Sequence, residues 1–272
     1  MSAGCRFQVT GRVSITKPPV ANTPRDKRVR GSIISRFDGG KLLGLDYRQL
    51  EMRLVASEAG DEAMLAIFKS GLDVHDETAK VMFGKDFSKD DRDIAKNINF
   101  GTVYGISAWS LTRKFGIPER KAEDFLAMHK GAFPAIYRWM DVQHAFIRKN
   151  GWIASRLGQV RHFPGWAQAT DRERFRMMRQ AGNFPIQALG AGLTNLAAKT
   201  VDDLLRISYH SFVDFQQHDS IKVDLNPKDN AEEIKEHCER IMSVKVPKLY
   251  APFLKVELPV SSQISRRWGG TE

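Results

Sequence analysis

Four side chains recur at a spacing of four residues within DRDIAKNINFGTVYG (Asp91–Gly105): Arg92, Lys96, Phe100 and Tyr104. On an α-helix four residues turn the chain by about 400°, so each step drifts by only about 40° and the four form one slanting row about 18 Å long. Two cations begin the row and two aromatic rings end it. The cations suit a polyphosphate and the rings suit a planar base. The same spacing also describes an amphipathic surface helix with core rings and solvated cations, and the row alone leaves both readings open.

Two carboxylates stand where strands end. Lys41-Leu-Leu-Gly-Leu45 is a short apolar run closing on Asp46. Phe212–Gln217 and Ile221–Leu225 read as strands joined through His218-Asp219-Ser220, a hairpin with Asp219 at its tip. In the second strand Ile221, Val223 and Leu225 are expected inside, Lys222 and Asp224 outside. Two aspartates on neighbouring strand ends make a minimal cage for divalent cations. Such hard oxygens suit Mg²⁺, which keeps several waters and takes other ligands from substrate phosphates. Two ions roughly 4 Å apart can activate an attacking hydroxyl and stabilise a leaving pyrophosphate. Taken singly, an aspartate at a strand end is more often a turn or cap residue.

The elements that must position these groups follow from local signals. Residues 1–40 read as an extended, turn-rich segment. Helices are expected over Gln49–Glu58, Asp61–Lys69 and Asp73–Phe83, with Asp73 as an N-cap and His75 near its start. Ser88 caps the helix carrying the row, Asp90, Asp91 and Asp93 suit its first turn, and Gly105 helps end it. Short helices at Ser107–Phe115 and Pro118–His129 precede a longer one at Pro134–Lys149. Trp152–Ser155 and Gln159–Phe163 flank a turn as a hairpin. Residues 171–206 are helical with an interruption at Gly182–Pro185, then a helix at Asp229–Val244 and a last strand at Phe253–Leu258. Trp109, Trp139, Trp152 and Trp166 are expected in the core or in packing. The pattern is α+β.

Composition narrows the partners. The chain has 272 residues, a net charge of +10 and a pI near 9.6. That balance favours a polyanion, nucleic acid first and an anionic membrane surface second. Residues 1–41 alone carry a net charge of +7. No apolar run approaches the roughly 18 residues of a membrane span, so no membrane partner is expected. Cys5 and Cys238 form no metal-binding or disulfide pattern, which points to a reducing compartment.

At this point the motifs resemble a known family. DYRQLEMR (Asp46–Arg53), RDIAKNINFGTVYG (Arg92–Gly105) and QHDS (Gln217–Ser220) resemble motifs A, B and C of the family A DNA polymerases, the bacterial DNA polymerase I group, in the same order and at matching separations. The likeness extends to TGRVS (Thr10–Ser14), DVHDETA (Asp73–Ala79), RQAGNFPIQ (Arg179–Gln187) and the tail ending at Trp268. It implies a small antiparallel palm sheet with a mostly helical fingers insertion, a right-hand polymerase lacking the thumb. Residues 1–52 would be the first part of the palm with a basic N-terminal arm, 53–168 the fingers, and 169–272 the second part of the palm. The implied reaction is template-directed addition of dNTPs to a primer 3′-hydroxyl, with two Mg²⁺ ions that Mn²⁺ can replace.

The resemblance also assigns roles. Asp46 and Asp219 match the metal-binding carboxylates, with the carbonyl of Tyr47. Arg92 and Lys96 match the triphosphate-binding pair, and Lys96 is the acid for the leaving pyrophosphate. Phe100 matches the ring beside the incoming nucleoside, and Tyr104 the ring at the template position. His75 matches a phosphate contact, and Gln49 belongs with the nucleotide-binding set. Glu51 matches a steric gate that leaves no room for a 2′-hydroxyl. Arg12, Arg179, Asn183 and Gln187 match residues touching primer, template and minor-groove edges, and His218 the residue beside the primer terminus.

Two departures qualify the match. Motif C usually ends in a second carboxylate, where this chain has Ser220; that substitution bears on metal affinity and fidelity. The same His-Asp-Ser triplet resembles single-subunit RNA polymerases, which keeps an RNA polymerase-like or mixed-sugar enzyme as an alternative, beside a non-catalytic DNA-binding remnant. The thumb and the proofreading domain of the family precede the TGR segment, before which this sequence has nine residues. The expectation is an excised piece, or a split subunit whose separate thumb- and exonuclease-bearing partner docks near residues 1–40. The expected setting is the cytoplasm of a bacterium or virus-infected cell, or an organelle.

Overall fold

A computed structural model describes residues 4–17 and 27–270. The Pro-rich run at 18–24, Arg25 and that part of the expected docking arm lie outside the described residues. In chain order the elements are β1 (Gly4–Phe7), β2 (Val13–Lys17), α1 (Lys27–Arg30), β3 (Lys41–Tyr47), α2 (Leu50–Ala59), α3 (Glu62–Lys69), α4 (Val74–Phe83) and α5 (Lys89–Val103). They continue with α6 (Ala108–Phe115), α7 (Glu119–Ala132), α8 (Pro134–Asn150), β4 (Trp152–Ala154), β5 (Val160–His162) and α9 (Asp171–Ser208). Last come β6 (Phe212–Gln217), β7 (Ser220–Leu225), α10 (Ala231–Arg240), a π-turn (Ile241–Lys245), α11 (Val246–Tyr250) and β8 (Val260–Ser265).

The chain forms two compact units. One takes Met1–Leu50, Ala188–Pro252 and Glu257–Glu272; the other takes Glu51–Gln187 and Phe253–Val256. The first unit is built on an antiparallel sheet in the order β6-β7-β3-β8. β3 is central because Leu42, Leu43, Leu45 and Tyr47 are buried. Ile221, Val223 and Leu225 are buried as their alternation requires. Asp224 is not outside as expected, being only 2% exposed. It receives hydrogen bonds from Ser35 Oγ and from the Arg36 backbone N–H (3.1 Å) and Nε (3.2 Å). Such bonds offset the cost of burying a carboxylate. Lys222 is half-buried rather than outside.

The described part of the N-terminal arm is extended with a turn, as expected, its two strands pairing with Phe7 opposite Val13. Two further expectations are corrected. The last strand is β8, not Phe253–Leu258. Its sequence VSSQIS carries little apolar signal, yet it pairs with β3 along six registered residue pairs. Second, α9, which is divided between the two units, runs unbroken for 38 residues through Gly182 and Pro185. Proline removes one helical hydrogen bond, but Ala181, Phe184, Ile186, Ala188 and Leu189 around it are buried, and packing outweighs that local cost.

The second unit is helical. Asp61, Asp73, Ser88 and Ser107 cap α3, α4, α5 and α6 as side-chain acceptors. Ser88 and Asp91 form a full capping box. Ala79, Met82, Ile94, Ala95, Ile98, Leu111, Ala122 and Phe125 form a core that fixes α4 and α5 side by side. The tryptophans are not in it. Trp109 is 57% exposed under Arg113, and Trp139, Trp152 and Trp166 are half-buried; the buried tryptophan is Trp268. No helix among the described residues is long and apolar enough to cross a membrane.

Candidate active site

In the sheet unit the backbone sets the carboxylates. β3 and β7 pair with Asp46 opposite Ser220, and the N–H of Tyr47 donates to the carbonyl of Asp219 at 3.3 Å. Asp46 and Asp219 therefore stand at the same end of two hydrogen-bonded strands. The Tyr47 ring is buried and its hydroxyl donates to the Met242 carbonyl at 2.9 Å, so only its main chain belongs to this end. Ser220 turns away: its hydroxyl donates to the Gln217 carbonyl at 2.9 Å and tightens the hairpin turn. Among the described residues two that are not glycine adopt left-handed backbone, Gln49 (φ 53°) and His218 (φ 53°). His218 directly precedes Asp219 and Gln49 lies three residues after Asp46, and such conformations cost about 1–3 kcal/mol and cluster where a site demands them.

Two carboxylates and a main-chain carbonyl are a hard-oxygen donor set of the kind Mg²⁺ takes. Among the described residues no group of three or more His, Cys, Asp or Glu gathers to hold a metal. A cation held here would need water and substrate oxygens for the rest of its shell. Lys222 pairs across from Gly44, two residues before Asp46. Its side chain folds over that glycine, so that a Cβ there would lie 2.7 Å from Nζ. Burial lowers the pKa of Lys222; the negative charge of Asp46 opposes the shift and Arg30 adds to it.

Also in the sheet unit, Gln216 donates to Asn195 Oδ1 (2.9 Å), and Asn195 donates to the carbonyl of Gly11 (2.9 Å), anchoring the turn that carries Arg12.

In the helical unit side chains set the row. The opposite face of α5 is buried, while Lys96 is exposed and Arg92, Phe100 and Tyr104 are half-buried. Arg92 forms ion pairs with Asp73 (3.1 Å) and with Asp76. Phe100 lies against the His75 ring, with centroids 5.3 Å apart. Tyr104 caps the helix; its hydroxyl donates to Glu51 Oε2 at 3.0 Å and accepts from Gln187 Nε2 at 2.6 Å. Arg179 Nε donates to the Tyr104 carbonyl at 2.9 Å. Asn183 Oδ1 is buried with no protein partner.

Beneath the row lies a buried polar chain. Asn99 Nδ2 faces His75 Nδ1 at 3.0 Å and Thr78 Oγ1 at 3.0 Å. Asn99 Oδ1 faces His129 Nε2 at 2.9 Å, and His129 Nδ1 faces the Tyr137 hydroxyl at 2.9 Å. Burial drives His129 down to about 3. It drives His75 down to about 4, where Asp73 resists and the charges of Arg92 and Lys96 reinforce. Both histidines are neutral at pH 7.

The structure thus brings Glu51, Tyr104, Arg179 and Gln187 together, and separately Arg92, Phe100 and His75. Sequence reasoning missed Asp76, Asn99, Thr78, His129 and Tyr137. The Asn99 position, one residue before Phe100 and five before Tyr104, was the available signal.

The sequence profile described as DNA polymerase family A matches residues 4–270. A thermostable DNA polymerase I of Thermus filiformis is 33% identical over 267 residues, covering 95% of this chain and 31% of that protein. DNA polymerase I of Helicobacter pylori is 30% identical over 263 residues, covering 95% of this chain and 28% of that protein. The chain therefore spans about a third of the length of these curated relatives. Among solved structures, the POL domain of Pol1 from M. smegmatis, in complex with DNA primer-template and dNTP, superposes with a TM-score of 0.89 at 25% identity, covering 98% of this chain and 47% of that one.

Proposed function

The chain belongs to DNA polymerase family A, and from that premise we propose that it is the catalytic portion of a template-directed DNA polymerase, taking primer-template DNA and dNTPs and releasing pyrophosphate. The observation that carries this reading is the β3–β7 register, which sets Asp46 and Asp219 at one end of two paired strands. In this reading residues 1–52 and 169–272 are palm and 53–168 fingers.

When bound, two divalent cations would supply Lewis-acid activation of the primer hydroxyl and neutralise the charge on the leaving group; Asp46, Asp219 and the carbonyl of Tyr47 would hold them. The chain's own residues do the rest. Arg92 and His75 bind the polyphosphate, and Arg92 must trade Asp73 and Asp76 for phosphate oxygens to do so. Lys96, exposed on the same face, holds a proton for the pyrophosphate as it leaves. Phe100 lies along the nucleoside. Glu51, pinned by the Tyr104 hydroxyl, occupies the space a 2′-hydroxyl needs and so sets sugar choice. Gln49 orders the same nucleotide from the turn after β3. Arg12, Arg179, Asn183, Gln187 and His218 contact primer and template, Asn183 through the acceptor that lacks a protein partner.

Primer extension tests this. With Mg²⁺ at low salt the protein should add the templated dNTP, and activity should fall steeply as salt rises, because phosphate contacts dominate DNA affinity. Incorporation no greater than that of Asp46→Ala would sink the proposal.

A further inference from the structure

With the Asn99 amide as it stands, the buried chain beneath α5 has a self-consistent proton order. The Thr78 hydroxyl has two acceptors in reach, the Val74 carbonyl at 2.7 Å and Asn99 Oδ1 at 3.1 Å; donating to the nearer, it acts as acceptor towards the Asn99 amide N–H₂. The Asn99 amide N–H₂ meets that need and, with its second hydrogen, faces His75 Nδ1. Its carbonyl oxygen is then left for His129 Nε2, which must carry a proton to donate to it. His129 Nδ1, bare in that tautomer, accepts from the Tyr137 hydroxyl. Every donor meets an acceptor, as buried polar groups require. Thr78 Oγ1 lies within reach of both ends of the amide, 3.0 Å from Nδ2 and 3.1 Å from Oδ1, so the amide and the two histidines turn together: reversing it would put its oxygen on His75 Nδ1 and give both rings the opposite tautomer.

From this we infer that Asn99 is a positioning residue that fixes His75 as the Nε2–H tautomer, presenting a proton donor, beside Arg92 and Lys96, to a nucleotide polyphosphate. Nδ1 is occupied by Asn99, so Nε2 is the ring nitrogen left for a ligand. A donor there attracts phosphate oxygens, whereas the other tautomer would turn a lone pair on them. The ring also packs at a tilt of 41° against Phe100 and the residue is only 3% exposed, so it cannot flip cheaply. The burial that keeps His75 uncharged makes the tautomer, rather than the charge, the property that matters. This inference rests on the polyphosphate reading of the row.

Ring ¹⁵N NMR of histidine-labelled protein reads the tautomer directly, with no ligand or turnover. The native protein should show His75 with an unprotonated Nδ1 and a protonated Nε2 at pH 7. Asn99→Asp, of the same shape, should draw a proton onto Nδ1. Tripolyphosphate affinity, by calorimetry, gives the second readout. Asn99→Leu should weaken it about tenfold in the native background, the scale of one hydrogen bond to a charged group. In a His75→Ala background the same change should have little effect. A protonated Nδ1 in the native protein, or an equal loss with and without the His75 ring, would overturn the inference. The expected tautomer together with no tripolyphosphate binding by the native protein would overturn the polyphosphate reading on which it rests.

Discussion

The two units place reactive groups by different means. In the sheet unit Asp46 and Asp219 owe their positions to strand register and to two strained backbone residues, Gln49 and His218. In the helical unit the groups of the row owe theirs to side chains: Arg92 to Asp73 and Asp76, Tyr104 to Glu51 and Gln187, His75 to Asn99. Backbone placement lets a functional side chain be removed without disturbing the fold. Network placement ties function to stability, because each partner removed leaves another buried polar group unsatisfied.

The sharpest test of that contrast is Asp46→Ala or Asp219→Ala. Each should lower the rate of incorporation by about a thousandfold or more, the several kcal/mol that a metal-centred step is worth. The melting temperature should stay nearly unchanged; a large drop would show that the carboxylates hold the sheet together after all. The helical unit should behave oppositely. His75 and His129 have folded-state values of about 4 and about 3, below the unfolded value near 6.5. As pH falls the unfolded chain takes protons first. Stability is therefore full above about pH 6.5 and is lost towards pH 4 and then 3, by up to about 1.4 kcal/mol per pH unit for each histidine. Thermal melts across pH should show this slope, and His129→Gln should remove its own share of it; an unchanged slope would contradict the burial argument.

A smaller effect is expected at Tyr104. Tyr104→Phe keeps the ring but removes the donor to Glu51. The ratio of dNTP to rNTP incorporation should fall roughly fivefold, a hydrogen bond's worth of gate rigidity; an unaltered ratio would mean that Glu51 is held by other contacts. The smallest expected effect is that of Asp73→Asn, which keeps a good N-cap on α4 while removing one carboxylate from Arg92. Stability should change by less than about 0.5 kcal/mol and tripolyphosphate should bind about twofold tighter, since partly exposed pairs are weak.

Local chemistry was the legible part. Ser88 and Asp73 cap their helices because a short polar side chain before an amphipathic run has few other uses, and the Arg92 to Tyr104 spacing marked the face of α5 that stays out of the core. The illegible parts depend on distant partners. Asp224 looks like a surface residue until Ser35 and Arg36, nearly 190 positions away, close over it. Gln187 reaches Tyr104 across 83 positions. β8 is written mostly in serine and glutamine and is a strand because β3 offers it an unpaired edge. α9 survives Pro185 because its neighbours bury the helix on both sides of the proline.

The glycine under Lys222 has a consequence for descent. Any side chain at position 44 would need the space the ammonium group occupies, and would push that charge away from the strand end where Asp46 stands. The two positions are thereby expected to be coupled. A lineage that keeps the lysine over the strand end gains from a notch opposite it, and one that fills the notch swings the flexible ammonium group aside. Comparison of many relatives should find the residues aligned with 44 and 222 changing together.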